Sequence, residues 1–255
     1  MIFLEVLVYA LIQGLLEWFP VSSSGHLTMV QMFLKSEPGV LFFVALHFGT
    51  LMAVFVYFGK DLVDIMREMV SLRFNTENGK LGLYLLIGAI PAVIAGGLIY
   101  TFMEKISDTW LLLAVGFGIT SILLFMGSMA PKRNVKITWK IALFIGIAQI
   151  LSLFRGVSRS GSTIATGLLL GLREREAIKF SYLLSIPLIF GANLVLAGNK
   201  PLPSELIWAT FVAFGVSLIV MHFSFNYVLN DRKNLRWLGW YMLLLSCGVG
   251  TYALL

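Results

Sequence analysis

The chain has 255 residues, 58% hydrophobic and only 13% charged, with a formal net charge of +6. Soluble domains hold roughly 45–50% apolar and about 25% charged residues, so this composition excludes an ordinary soluble enzyme and marks a polytopic membrane protein. The cations sit in short stretches between apolar runs, which argues against a nucleic-acid partner and reads as membrane topology and lipid-headgroup contact.

The first apolar run, MIFLEVLVYALIQGLLEW, is similar to a signal-peptide core. It lacks a basic leader and a small-x-small cleavage site and contains Glu5, so it is expected to remain. It runs into the break FPVSSSG, after which only HLTMVQMFLK precedes Ser36, Glu37, Pro38 and Gly39. A full span takes about 20 mostly apolar residues. Runs near 40–59, 82–101, 109–130, 177–198, 206–229 and 235–254 satisfy that. Residues 138–171 instead repeat the plan of 1–34: WKIALFIGIAQILSLF, the break RGVSRSG, then STIATGLLLG. The second arm of each region is about half a span, which predicts two re-entrant helix–loop–helix segments. Broken backbone at membrane depth is tolerated only where protein or water covers it. Cys247, the single cysteine, excludes an internal disulfide and reads as a small packing residue of the last run.

On this reading loops 60–81, 131–140, 171–179 and 230–236 share one side. They carry Lys60, Arg67, Arg73, Lys80, Lys132, Arg133, Lys136, Lys140, Arg173, Arg175, Lys179, Arg232, Lys233 and Arg236, whereas the other side holds Lys35, Lys105 and Lys200. Positive loops stay inside, so the first side is expected to be cytoplasmic and both termini outside.

An offset of 136 residues lays the breaks over each other: Gln13 on Gln149, Trp18 on Phe154, and Val21-Ser22-Ser23-Ser24-Gly25 on Val157-Ser158-Arg159-Ser160-Gly161. The expected fold is therefore all-α, one integral membrane domain over 1–255 built of two repeats, about 1–130 and 131–255. Each repeat is a re-entrant hairpin plus three transmembrane helices. Three is odd, so the second repeat is inverted, and such folds place their site near the midplane where broken helices meet. Chance similarity of Ser/Gly-rich helices is the competing explanation.

The ionisable groups at membrane depth are few: Glu17, His26, His47, Arg155, Arg159 and His222. Buried intramembrane charge is costly, roughly 2.5–3.5 kcal/mol on insertion scales, and marks functional sites. Taken singly, Ser22, Ser23 and Ser24 read as helix-packing residues, Glu17 as a structural partner of an arginine, and His47 and His222 as satisfied core histidines. Taken together, Ser/Gly turns opening onto helix N-termini suit an anion, and an arginine fork suits phosphate. A carboxylate and a histidine beside a serine can activate a hydroxyl nucleophile. That combination points to a phosphatase acting on an amphiphilic phosphate ester or anhydride.

EWFPVSSSGHL resembles the first signature of the bacitracin-resistance type undecaprenyl-pyrophosphate phosphatases, and RGVSRSGST resembles their second. IGAIPAVIAG (87–96), GIAQILSLFRGVSRSGSTIATGLLLGL (146–172) and REAIKFSYLLSIP (175–187) are similar to further family segments, in order. The resemblance implies an integral enzyme of the bacterial cytoplasmic membrane that converts undecaprenyl pyrophosphate to the monophosphate. This recycles the carrier for peptidoglycan and other envelope polymers and confers bacitracin resistance. It places the glutamate element on Gln13 and Glu17, the serine–histidine element on Ser22, Ser23 and His26, and the arginine loop on Gly156, Ser158, Arg159, Ser160 and Thr163. It also implies a divalent cation, Mg²⁺ or Ca²⁺, with Glu17 and Gln13 as ligands. Two residues depart from the family pattern: Gln13 replaces a glutamate found in many members, and Arg155 replaces a proline.

The expected mechanism has Arg159 and the N–H groups around Ser158 to Ser160 holding the phosphates. Ser23 attacks, His26 acts as base or acid, and Glu17 orients His26 or binds the metal, at a site open to the extracytoplasmic face. Attack by His26 itself or by a metal-bound water stays open, as does a homodimer. A secondary transporter or polyprenyl-phosphate flippase is the main competing function, with an intramembrane serine protease behind it.

Overall fold

The computed structural model describes residues 3–103, 109–197 and 204–255, and in these every regular element is helical. Lys105 and Lys200, counted above as outer-side cations, lie outside the described residues. In chain order the helices are α1 (Phe3–Leu16), α2 (Ser23–Leu34), α3 (Val40–Tyr57), α4 (Gly59–Val70), α5 (Glu77–Met103) and α6 (Trp110–Ser128). There follow α7 (Trp139–Gln149), α8 (Arg159–Leu169), α9 (Glu174–Ala197), α10 (Ser204–Phe223) and α11 (Arg232–Leu254). A 3₁₀ turn (Ile150–Leu153) extends α7 and a π turn (Ser224–Val228) extends α10.

Among the described residues, five helical segments are long and apolar enough to cross a membrane: Val40–Tyr57, Glu77–Leu98, Trp110–Ser128, Leu206–Val228 and Arg232–Leu254. The sixth expected span, 177–198, falls on α9, 24 residues whose first turn carries Glu174 and Glu176; residue 198 lies outside the described residues. The protein is thus a multi-pass, all-helical membrane protein. The stretch 60–81, read from sequence as a loop, instead begins with α4. Leu62, Ile65 and Met69 recur at helical spacing and pack into the main core with Leu81 and Leu85 of α5, while Asp61, Asp64, Arg67 and Glu68 occupy the rest of the helix.

The spanning helices expose many apolar side chains, Val56, Val93, Leu98, Ile122, Ile219 and Leu244 among them. In hydrocarbon, helices gain little from hiding apolar surface, so small residues and close packing bring them together. At the α5–α7 crossing a Cβ on Gly146 would lie 2.2 Å from the Gly88 carbonyl oxygen. Long packing seams join α6 to α11 and α3 to α10, and α1 to α10 and α5 to α7 also run side by side.

The breaks fall where the sequence places them. The short arms α2 and α8 have 12 and 11 residues, only about 17–18 Å at 1.5 Å per residue. Each starts on a serine cap that satisfies an otherwise orphaned helix donor. Ser22 Oγ accepts from Gly25 N–H at 3.2 Å, and Ser158 Oγ accepts from Gly161 N–H at 3.0 Å. The tips touch. A Cβ on Gly25 would come within 2.8 Å of Gly156 Cα, and Ser160 Oγ donates to the Phe19 carbonyl at 3.1 Å. Gly156 has φ +88, a left-handed conformation that glycine alone adopts freely, and a side chain there would strike the Leu113 carbonyl.

Away from the breaks, ion pairs tie together the loops that sequence analysis placed on one side. Arg232 is 6% exposed; its Nε donates to Glu174 at 2.6 Å and its guanidinium also bonds the Ala130 and Leu172 carbonyls. Lys179 pairs with Asp61 at 2.6 Å, and Val135 N–H donates to the Gly171 carbonyl at 2.9 Å.

Candidate active site

A cavity of about 740 Å³ lies where the two breaks meet. Its polar end is formed by Glu17, Ser22, Ser23 and Ser24 from the first break and Ser158, Arg159 and Ser160 from the second. Its walls are apolar or small, with Val44 from α3, Ala92, Val93, Gly96 and Gly97 from α5, and Leu188, Ile189, Gly191 and Ala192 from α9. Val93, Gly97 and Ala192 also face the outside, so the apolar end opens at the rim between α5 and α9.

Glu17 is the hub of the polar end. It follows α1 in a turn whose N–H bonds the Gln13 carbonyl at 3.1 Å, and it is 9% exposed. Its Oε1 accepts from Arg159 Nη2 at 2.7 Å, and its Oε2 accepts from Ser23 Oγ at 2.6 Å and from Gln13 Nε2 at 3.1 Å. Arg159 is held in turn by the Ser181 carbonyl at 3.2 Å and lies over the Trp18 ring at 5.6 Å. Trp18 is itself fixed, its Nε1 donating to Ser217 and its carbonyl accepting from the Tyr182 hydroxyl. A carboxylate from one break and a guanidinium from the other thus neutralise each other away from water, a pair whose disruption costs about 3–5 kcal/mol.

The histidines exchange expected places. His26 was expected to serve Ser23, but the hydroxyl of Ser23 is given to Glu17 and both His26 nitrogens are engaged elsewhere. Its Nδ1 lies 2.8 Å from the Ser22 carbonyl, which can only accept, so that nitrogen carries the proton. Its Nε2 lies 2.7 Å from the Tyr241 hydroxyl, and its ring packs between Phe117 and Tyr241. His26 therefore braces the break from behind and does not line the cavity. His47, read from sequence as a core residue, does line it. Its Nδ1 donates to the Phe43 carbonyl at 2.8 Å, which leaves Nε2 facing Glu17 Oε2 at 3.9 Å.

Of the remaining expected phosphate-binding residues, Ser22, Ser158 and Ser160 line the cavity, but Gly156 and Thr163 do not. The Ser158 N–H, expected to hold phosphate, is given to Thr120 Oγ1 at 2.9 Å; that hydroxyl also donates to the Gly156 carbonyl at 2.9 Å. Thr163 bonds the Arg159 carbonyl and the Ser181 hydroxyl, so it supports Arg159 from below. Arg155, the departure from the family pattern, donates to Thr28 Oγ1 at 3.2 Å and so links α2 to the second break. Sequence analysis missed Thr120 as the pin of the second break; an isolated threonine in an apolar run carries no signal for that role.

Among the described residues no three His, Cys, Asp or Glu side chains group as a metal site. Of the two expected ligands, Glu17 lines the cavity and Gln13 does not; Gln13 sits behind Glu17, bonding it through Nε2, with its amide oxygen buried without a protein partner. An all-oxygen set of this kind suits a hard divalent cation whose remaining ligands come from substrate phosphates and water.

The profile of the bacitracin resistance protein BacA family matches residues 6–248. This chain belongs to that family. Among BacA-type relatives it is 33% identical over 243 residues to an undecaprenyl-diphosphatase of Korarchaeum cryptofilum, covering 91% of this chain and 92% of the relative. It is 39% identical over 198 residues to an undecaprenyl-diphosphatase of Alteromonas mediterranea, covering 75% and 74%. With an undecaprenyl-diphosphatase of Mycobacterium leprae it shares 34% identity over 262 residues, covering 96% and 92%. The BacA match spans both breaks and hence the whole polar end of the cavity.

Proposed function

We propose that this chain is an undecaprenyl-diphosphatase that removes the terminal phosphate of undecaprenyl pyrophosphate, regenerates the monophosphate carrier for envelope polymer synthesis and thereby confers bacitracin resistance. The observation that carries this reading is the chain Arg159–Glu17–Ser23 at the polar end of an otherwise apolar cavity. One end suits a diphosphate and the other a polyprenyl tail.

In the mechanism, Arg159 and the start of α8 hold the phosphates and stabilise charge on the transferring group, the main demand of phosphoryl transfer. Ser23 gives its proton to Glu17, and its Oγ bonds to the terminal phosphorus as the anhydride bond breaks. Undecaprenyl phosphate departs. Water then attacks the phosphoserine; Ser23 retakes a proton and inorganic phosphate leaves. His47 Nε2, beside Glu17, takes the proton of that water. A divalent cation, Mg²⁺ or Ca²⁺, would be held by Glu17 and Gln13 and would supply positive charge to the phosphate oxygens.

We extend the proposal to architecture. The two repeats, about 1–130 and 131–255, are related as inverted halves of one domain. In support, the contacts pair as a two-fold axis requires: α3 with α10 matches α9 with α5, α1 with α10 matches α7 with α5, and α3–α9 and α6–α11 match themselves. The Asp61–Lys179 ion pair, which joins the loops before α5 and after α8, supports α7 and α8 entering and leaving by the same face, as re-entrant arms do. The cationic loops are then cytoplasmic, both termini are outside, and the cavity opens outward from a cytoplasmic membrane.

The test is phosphate release from undecaprenyl pyrophosphate by purified protein, with Arg159→Ala and Glu17→Ala beside it. Both variants should lose about 10²–10³-fold or more in kcat, the scale of losing a transition-state electrostatic contact. Wild-type release by both would overturn the assignment.

A further inference from the structure

Outside the Arg159–Glu17–Ser23 chain, one other buried polar side chain stands out at the cavity. Gln149 closes α7, is 1% exposed and lines the cavity, yet neither its Nε2 nor its Oε1 has a protein hydrogen-bond partner. Buried amides are otherwise almost always satisfied, because an unmade hydrogen bond forfeits the solvation of that group. A leucine or methionine would fill the same space at the end of an apolar helix without that penalty. The offset that equates the two breaks sharpens the contrast. Gln13, the counterpart in the first break, spends its Nε2 on Glu17 four residues later. Four residues after Gln149 stands Leu153, which cannot accept. Gln149 thus lines the cavity with an amide that no protein group uses, and Asn193, whose Nδ2 is likewise buried and without a protein partner, lines the same space.

Resting on the phosphatase reading, we infer that Gln149 is a substrate-contacting residue. Its Nε2 donates to a non-bridging oxygen of the diphosphate, and its Oε1 accepts from the water that resolves the phosphoserine. A neutral amide fits this duty. It adds a donor without a second fixed cation, and it offers an acceptor that the guanidinium of Arg159 lacks. The head group is then held from α7 as well as α8.

The experiment uses the full chain in detergent, with Gln149→Leu and Gln149→Met as isosteric apolar variants. Three quantities are read: kcat and KM for farnesyl pyrophosphate, the unfolding temperature alone, and its rise on adding methylenediphosphonate. Both variants should unfold at the wild-type temperature or above, since the unsatisfied amide is gone. KM should rise at least tenfold, and the diphosphonate-induced rise should shrink. KM within twofold of wild type with an undiminished diphosphonate effect would overturn the inference, as would activity falling only in step with the unfolding temperature. If the wild type releases no phosphate, the phosphatase reading itself fails, and the diphosphonate shift still reports whether Gln149 touches a diphosphate. If the wild type is active and the variants match it, only the role of Gln149 fails.

Discussion

Ser23 and His26 lie three residues apart at the start of one short helix, yet the structure gives them different work. Ser23 Oγ is committed to Glu17 at 2.6 Å, whereas His26 clasps the Ser22 carbonyl and Tyr241. Ser22 is a non-glycine residue at φ 62, so the His26 bond to its carbonyl steadies a turn that side chains disfavour. Ser23→Ala should therefore abolish phosphate release by about 10³-fold or more while leaving the unfolding temperature nearly unchanged. His26→Ala should lower activity and unfolding temperature together and leave the pH profile of kcat in shape. A flattened profile at wild-type stability would restore His26 as the base. The polar residues themselves were legible in the sequence, because a carboxylate, a histidine and serines are conspicuous in hydrocarbon. Their partners were not. Whether His26 or His47 faces Glu17 depends on helix rotation and on α3 arriving beside the break, and periodicity within one segment does not encode either.

At the scale of elements, the two breaks work because backbone meets backbone. The sequence announced them through SSSG and RGVSRSG, since serine caps and glycine turns are local chemistry. The α4 helix escaped notice because its charges disguised three core residues, Leu62, Ile65 and Met69, as part of a loop. Gly156 concentrates the demand of the second break: it is left-handed, pressed against the Leu113 carbonyl, and its own carbonyl is gripped by Thr120. Gly156→Ala should cost about 1–3 kcal/mol of stability, the usual scale of local backbone strain. Because α8 begins three residues later at Arg159, phosphate release should fall more than tenfold as well. Thermal unfolding beside a phosphate-release assay measures both. Thr120→Val, which keeps the shape and removes the hydroxyl, should reproduce the activity loss in milder form.

For the whole molecule, the charge pattern argued for one cationic side, and the ion pairs around Arg232 and Lys179 bring those loops together. The sequence could not say which side chains would make that seam, because loops of similar charge offer many pairings. In a chain with Cys247 replaced by serine, a single cysteine at Glu37 should react with a membrane-impermeant maleimide on intact cells. One at Lys136, whose side chain is 88% exposed, should react only after permeabilisation; the reverse pattern would invert the proposed orientation. The pairing of Glu17 with Arg159 has a consequence in time. These residues are 142 apart in the chain, and at about 5–20 residues per second of synthesis the carboxylate precedes its arginine by roughly 7–30 s. Until then, the Glu17 partners that its own hairpin can supply are the Ser23 hydroxyl and the Gln13 amide.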